Sequence, residues 1–364
     1  MPPRTLRLVL AGLGNVNRNF LRLMQSQRNL LRDVYGLELV VAGAADSSGA
    51  VVNDDALDPA ALLAHKEAGG KVATFAGASL RHVSLESMIE AVPADMLLEA
   101  TPVNLQTGQP GLDLCRAALE KGMHVVLANK GPLALAYQEL LPSWPSPQLP
   151  QAARPFGRRS ASPEGRGSWV RFSACVGGAL PTINVGVRDL AGSRILKVEA
   201  AVNGTSQGIL RLMESGVSFD DALAEMQRRG VVESDPSLDI DGWDEAEKLV
   251  IIANAVLRQP TTIHDLDVQG IRDLTANDLQ AALQRGERIV LLGIADGVDG
   301  RYKLSVKPAS LPLSHPLARM GADEMGVVYH TDISGIISAF SAEMTAMPTA
   351  AAMLRDVIDI ATEI

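Results

Sequence analysis

Cysteine, paired histidine, net positive charge and long apolar runs are all scarce in this chain, and each scarcity removes a class of protein. Two cysteines, Cys115 and Cys175, are too few for a disulfide framework and lack the paired spacing that holds zinc. A reducing compartment, the cytoplasm, is the expected location. The six histidines (His65, His82, His124, His264, His315, His330) are scattered, with no pair at the spacing that puts two ligands on one helix face. No transition-metal site is expected. The formal net charge is −9, which disfavours nucleic acid or an anionic membrane surface as partner, because both are bound through clustered Lys and Arg. No apolar stretch reaches the ~20 residues needed to cross a bilayer, and the run after the N-terminus meets a glycine too early for a signal peptide.

What is present is ordinary for a globular protein: 47% hydrophobic and 21% charged residues in 364, a length that suits two domains. Leu6 to Ala11 reads as a buried strand that ends in Gly12-Leu-Gly14-Asn15-Val16-Asn17, after which Phe20, Leu21 and Leu23 recur at helical spacing. A second apolar run, Leu37 to Ala45, closes on Asp46-Ser-Ser-Gly49. The order is that of a βαβ unit, so a parallel sheet is expected. Later strands are expected at Asp95 to Ala100 and His124 to Ala128, with a helix near Gly111 to Lys121 between them. Beyond a Pro/Ser/Arg/Gly-rich stretch come strand candidates at Ile195 to Ala201 and Tyr302 to Lys307. Helical periodicity marks Ser218 to Arg229, Asp244 to Leu257 and Pro348 to Ile360. The basic residues of the rich stretch read as a solvated loop rather than a phosphate-binding patch.

A dinucleotide's pyrophosphate needs bare backbone amides at a helix N-terminus, where the helix dipole favours negative charge. Gly12 and Gly14 supply the required lack of side chains, with Asn15 and Val16 opening the helix. The third small position of such a turn is Asn17 instead of glycine, so an ordinary tight turn remains the alternative. Asp46, ending the second strand, has the charge to accept hydrogen bonds from a ribose 2′-hydroxyl and to repel a 2′-phosphate, which points to NAD over NADP. The plainer reading of Asp46 is a turn-forming aspartate.

Hydride exchange with a carbonyl needs a proton donor or acceptor at the reacting oxygen and a grip on the rest of the substrate. Asn129-Lys130 falls at the C-terminal end of a buried strand, where such sheets bind ligands. The segment Gly230 to Lys248 is an acidic loop entering a helix, and Asp244 and Lys248 share one helix face. Taken alone, such a pair is usually a solvent-exposed ion pair.

The phrase Gly230-x-x-Glu233-x-Asp235-Pro236-x-x-Asp239-x-x-Gly242-x-Asp244-x-x-x-Lys248 resembles the signature of homoserine dehydrogenases, as do Ala128-Asn129-Lys130-Gly131-Pro132, Val176-Gly-Gly-Ala-Leu-Pro181 and Asn203-Gly204-Thr205. These four motifs occur in family order and span most of the chain. The resemblance implies Lys248 as the proton-transfer group, Lys130 beside the substrate and Asp244 orienting the reacting end. Glu233 and Asp239 would receive the amino-acid end, with Gly204 and Thr205 adding loop contacts. Thr101 and Asn129 would join Gly12, Gly14, Asn15, Val16 and Asp46 around NAD or NADP. Backbone carbonyls of Val176, Gly178 and Leu180 would hold a monovalent cation; a glycine-rich turn that binds nothing is the alternative there.

The implied fold is α/β: an N-terminal Rossmann-type doubly wound parallel sheet and a second α+β domain for catalysis and dimerisation. The expected limits are 1–141 joined by part of 325–364 for the first domain and 168–324 for the second, with 142–167 an insertion or linker. A homodimer acting on a small amino-acid substrate is expected. The implied reaction is reversible oxidation of L-homoserine to L-aspartate 4-semialdehyde. The alternatives are a related dehydrogenase of another small hydroxy or amino acid, or a dinucleotide-binding sensor without catalysis. Several positions depart from the family. Ser173 stands where many members have glutamate, Val231 precedes Glu233 where an aromatic is common, and Ser206-Gln207-Gly208 replaces a more usual polar and aromatic run. Gly335 to Pro348 replaces a glycine-rich stretch. An altered substrate pocket and altered cofactor geometry are the corresponding expectations. With the chain ending at Ile364, a regulatory domain and feedback control by threonine are not expected.

Overall fold

The computed structural model describes residues 2–141, 167–229, 236–343 and 345–363. It divides into two units, Met1–Gly178 with Ala346–Ile364, and Ala179–Thr345. Glu233, Val231 and all but the last residue of the 142–167 stretch lie outside the described residues.

In the first unit, alternate residues of β1 (Arg4–Ala11) face opposite sides. Leu6, Leu8 and Leu10 pack with Phe20, Leu21 and Met24 of α1 (Asn15–Ser26) and with Met353, Val357 and Ile360 of the C-terminal helix Met347–Glu363. Val9, on the other side, is equally buried. A strand covered on both faces has no polar alternation, which is why the run is continuously apolar. After α2 (Arg28–Tyr35), β2 (Leu37–Asp46) pairs parallel with β1. On the other side of β1 lie β5 (Met96–Glu99), β6 (His124–Leu127) and β7 (Val170–Arg171), all parallel. The strand order reverses between β1 and β5, where open α/β sheets bind their ligands.

The sheet is not wholly parallel as expected. β3 (Gly49–Leu57) returns antiparallel on β2, and β4 (Leu80–Val83) lies antiparallel on β3. Asp46 pairs with Gly49, so the Ser47-Ser48 turn is a hairpin, a connection too short to join parallel strands. Helices α3 (Pro59–Glu67), α4 (Leu85–Ala91), α5 (Gly111–Glu120) and α6 (Gly131–Leu140) complete this unit.

The second unit carries a six-stranded sheet in the order β13-β12-β8-β10-β11-β9. Its strands are β8 (Ile195–Ala201), β9 (Asp267–Val268), β10 (Glu287–Val298), β11 (Arg301–Pro312), β12 (Glu324–Thr331) and β13 (Ile336–Ala342), antiparallel except for β9 beside β11. Its helices are α7 (Thr182–Asn184), α8 (Gly204–Glu214), α9 (Phe219–Arg228), α10 (Ser237–Ile240), α11 (Trp243–Ala255) and α12 (Ala276–Gln284). Both expected boundaries shift. β7 and the Ser173–Cys175 turn extend the first unit to Gly178, because β7 pairs with β6. Residues 325–345 belong to the second unit, because β12 and β13 pair onto β8, so only the C-terminal helix returns to the first. Among the described residues, no helix is long and apolar enough to cross a membrane.

Candidate active site

The glycine turn has the backbone that its sequence demands. Gly12 has φ 79°, and a Cβ there would lie 2.4 Å from the Ala100 carbonyl oxygen, so only glycine fits between β1 and the end of β5. A Cβ at Gly14 would meet nothing within 4 Å. Gly14 caps α1 without a side-chain hydrogen bond, which leaves the approach to the Asn15 and Val16 amides clear. The cradle therefore fits a dinucleotide's pyrophosphate. Asn17 is fully buried, and its Nδ2 donates to the carbonyls of Ala11 (3.0 Å) and Gly12 (3.2 Å). Where a third glycine would let helix approach strand, an amide here ties the two together.

Asp46 ends β2 as expected, but its carboxylate is occupied. Oδ1 accepts from the Ser48 amide (2.9 Å) and hydroxyl (2.5 Å), and Oδ2 accepts from Lys66 Nζ (2.5 Å) and the Val72 amide (3.1 Å). Burial raises the carboxyl's pKa, yet the bonds from Lys66, Ser48 and Val72 outweigh it and hold the group below its ordinary value. Lys66 was not foreseen. Its only sequence signal is a cation in the last turn of a helix.

Thr101 and Asn129 lie at the ends of β5 and β6 and are buried. Thr101 donates through both its amide and its hydroxyl to Glu99 Oε1, and its hydroxyl oxygen accepts from Asn129 Nδ2 at 3.2 Å. Asn129 Oδ1 then accepts from the Gly131 amide at 3.0 Å. The two side chains thus brace the strand ends, and Lys130, half-buried, stands at the N-cap of α6. Glu99, a fully buried carboxyl that sequence reasoning passed over, is pushed up to about 7 by that burial.

In the second unit the signature residues converge on the turn between β8 and α8. Asn203 caps α8, its Oδ1 accepting from the Ser206 amide at 2.7 Å. Its Nδ2 reaches across to Asp239 Oδ1 (2.7 Å) and Asp244 Oδ2 (2.6 Å). Lys248 Nζ donates to the same Asp244 oxygen at 2.6 Å and to the Val202 carbonyl. Gly242, at φ 86°, turns the chain from α10 into α11 and so aims Asp244 and Lys248 at this turn. Burial, then the neighbouring Asp244, raises Asp239 above its ordinary pKa. Gly204 and Thr205 open α8 beside them, and a Cβ at Gly204 would meet nothing within 4 Å.

Two departures from the family are absorbed by packing. Gln207 Nε2 donates to the Gly321 carbonyl (3.2 Å), and Ser206 Oγ contacts Asn203 Oδ1 (2.6 Å) and the Asp239 carbonyl (3.2 Å). A Cβ at Gly208 would lie 2.4 Å from Met226 Cε, so the flexible end of that methionine packs into the space the glycine leaves. Ser173 meets a carboxylate after all: Asp356 of the C-terminal helix accepts its amide (2.8 Å) and hydroxyl (2.6 Å). Val176 and Gly178 lie at the end of the first unit, and Leu180 is the second residue of the other. Glu343, inside the segment that replaces the glycine-rich stretch, accepts the Ala179 amide at 2.7 Å. Burial raises its pKa, and the nearby Lys248 is among the groups that oppose the rise.

The family model for homoserine dehydrogenase matches residues 181–358. The homoserine dehydrogenase of Methanocaldococcus jannaschii is 34% identical over 97% of this chain and 98% of its own. The NAD(+)-dependent homoserine dehydrogenase of Pseudomonas canavaninivorans is 32% identical over 97% of this chain and 96% of its own. A hyperthermophilic archaeal homoserine dehydrogenase mutant, solved in complex with NADPH, superposes with a TM-score of 0.80 at 25% identity over 99% of each chain. With the fold, the glycine cradle and the Asp244–Lys248 pair in place and relatives aligned end to end, this chain belongs to the homoserine dehydrogenase family.

Proposed function

We propose that this chain catalyses the reversible NAD(P)-dependent oxidation of L-homoserine to L-aspartate 4-semialdehyde, with Lys248 moving the hydroxyl proton. The observation that carries the assignment is the anchoring of Lys248. Two of its three protons go to Asp244 and the Val202 carbonyl, which leaves the third for a substrate oxygen. Lys130 assists at the substrate, and Asp244 orients the reacting end. The substrate ammonium is assigned to Glu233 and Asp239 as binding partners, while Gly204 and Thr205 offer the α8 N-terminus to its carboxylate. Gly12 and Gly14 clear the approach, and the Asn15 and Val16 amides hold the pyrophosphate. Thr101 and Asn129 shape the floor for the cofactor. When bound, the nicotinamide ring accepts or returns the hydride.

NAD is the preferred dinucleotide in this reading, because Asp46 carries the charge that repels a 2′-phosphate; its pairing with Lys66 keeps the preference modest. A monovalent cation on the carbonyls of Val176, Gly178 and Leu180 belongs to the same reading and would appear as a dependence of rate on potassium or sodium. The chain works in the cytoplasm as a homodimer: both cysteines are buried free thiols, and the edge strand β13 exposes Ile336 and Phe340. The deciding experiment follows absorbance at the reduced-nicotinamide band with purified protein, L-homoserine, and NAD or NADP separately. Turnover with either supports the assignment. Silence with both, under demonstrated cofactor binding, refutes it.

A further inference from the structure

We infer that Glu245 is a positioning residue for Lys248, acting through Val202. The inference rests on Lys248 being the proton-transfer group. Asp244 and Lys248 share one side of α11, while Glu245 is turned roughly 100° away from Asp244. There it is 1% exposed, and its Oε2 accepts the Val202 amide at 3.0 Å. Val202 is itself fully buried, and its carbonyl accepts from Lys248. The amide and carbonyl of one buried residue are therefore held by two side chains of the same helix. Ala200, two residues back on β8, is registered against Gly293 of β10, so the strand cannot slide to compensate.

The carboxyl is closely packed. A Cβ at Gly293 would lie 3.1 Å from Glu245 Oε1, so a side chain there would crowd the group. Burial pushes Glu245 up to about 8, although Lys248 pulls the other way. Near neutral pH the carboxyl is thus mostly protonated, and glutamine is its close mimic. Leucine fills the space but removes the acceptor. The buried Val202 amide then has to move to find a partner, and its carbonyl moves with it.

The test compares Glu245→Leu, Glu245→Gln and Gly293→Ala in the full chain, with L-homoserine and NAD or NADP. Displacement of a reacting group by about 1 Å costs on the order of 100-fold, so Glu245→Leu should lower kcat by about 10–100-fold. The dinucleotide KM should stay within about twofold, and Glu245→Gln should recover kcat to within about threefold of the unmodified protein. A leucine variant with kcat within about threefold of normal overturns the proposal, as does a glutamine variant no better than leucine. A fall in kcat matched by an equal rise in dinucleotide KM also overturns it, since general loosening would do that. If Glu245→Leu does not fold, Gly293→Ala decides: a kcat reduced by about 3–10-fold supports the clamp, and an unchanged kcat overturns it. Lys248→Ala is measured alongside. If it retains turnover, the underlying reading of Lys248 has failed; if it is inactive while Glu245→Leu is normal, only the positioning role has.

Discussion

Asp46 Oδ2 and Lys66 Nζ are 20 residues apart in the chain and 2.5 Å apart in space, in a pair whose side chains are only 14% and 16% exposed. The pair closes the end of β2 that the proposed function places beside the cofactor's ribose. Removing the cation in Lys66→Ala leaves Asp46 unopposed and should raise the NAD over NADP ratio of kcat/KM by about tenfold. Asp46→Asn removes the repulsion and frees the ammonium, and should move the same ratio toward NADP by a similar factor. A ratio that is the same in all three proteins would exclude this pair from cofactor selection.

Loss of the proton-transfer group should separate chemistry from binding. Lys248→Ala should lower kcat by about 100–10,000-fold with dinucleotide affinity, measured by fluorescence titration, unchanged. Near-normal turnover would end the assignment.

Asn203 stands between two carboxylates, and its amide is the group that bonds to both. Asn203→Ala leaves Asp239 and Asp244 facing each other and removes the cap of α8. The expected result is a loss of about tenfold or more in kcat/KM for homoserine together with about 1 kcal/mol of stability. Unfolding curves and initial rates on the same preparation check both parts.

Asn17 is expected to matter for stability more than for chemistry. Asn17→Ala strips the buried carbonyl of Ala11 and the half-buried carbonyl of Gly12 of a donor and should destabilise the protein by about 1–3 kcal/mol. Its kinetic trace should be a raised dinucleotide KM, with the homoserine KM nearly constant.

Buried acids set the pH dependence of stability. Burial raises Asp356 to about 6, Glu99 to about 7 and Glu245 to about 8. A raised carboxyl binds its proton more tightly in the folded state, so its contribution is intact at low pH and is lost as pH rises through the folded value. Tm should therefore decline from about pH 5 to about pH 8, by up to roughly 2–4 °C for each kcal/mol lost. In Glu245→Gln the decline should be shallower in the upper part of that window. A Tm profile identical to that of the unmodified protein would show that Glu245 does not titrate there.

Much of the first unit was legible because its signals are local. A continuous apolar run followed by Gly12 and Gly14 requires only a few neighbouring residues to be read, and the helix-face pairing of Asp244 with Lys248 follows from their i, i+4 spacing. β3 was missed because its turn, Asp46 to Gly49, reads equally as the end of a strand; only pairing shows that it is a hairpin. Which part of 325–364 returns to the first unit was left open for a related reason, since strand partners such as those of β12 and β13 are chosen by long-range register.

From sequence alone came the glycine cradle, the order of the four motifs, and with them the family and its lysine. Only the tertiary structure decided that Asp46 is paired with Lys66, that Ser173 meets Asp356, that Asn203 bridges two aspartates and that Glu245 shares Val202 with Lys248. Each of these bonds links groups distant in the chain. Their strength and their pKa values depend on burial and on partners within hydrogen-bond reach, which spacing along a sequence does not encode.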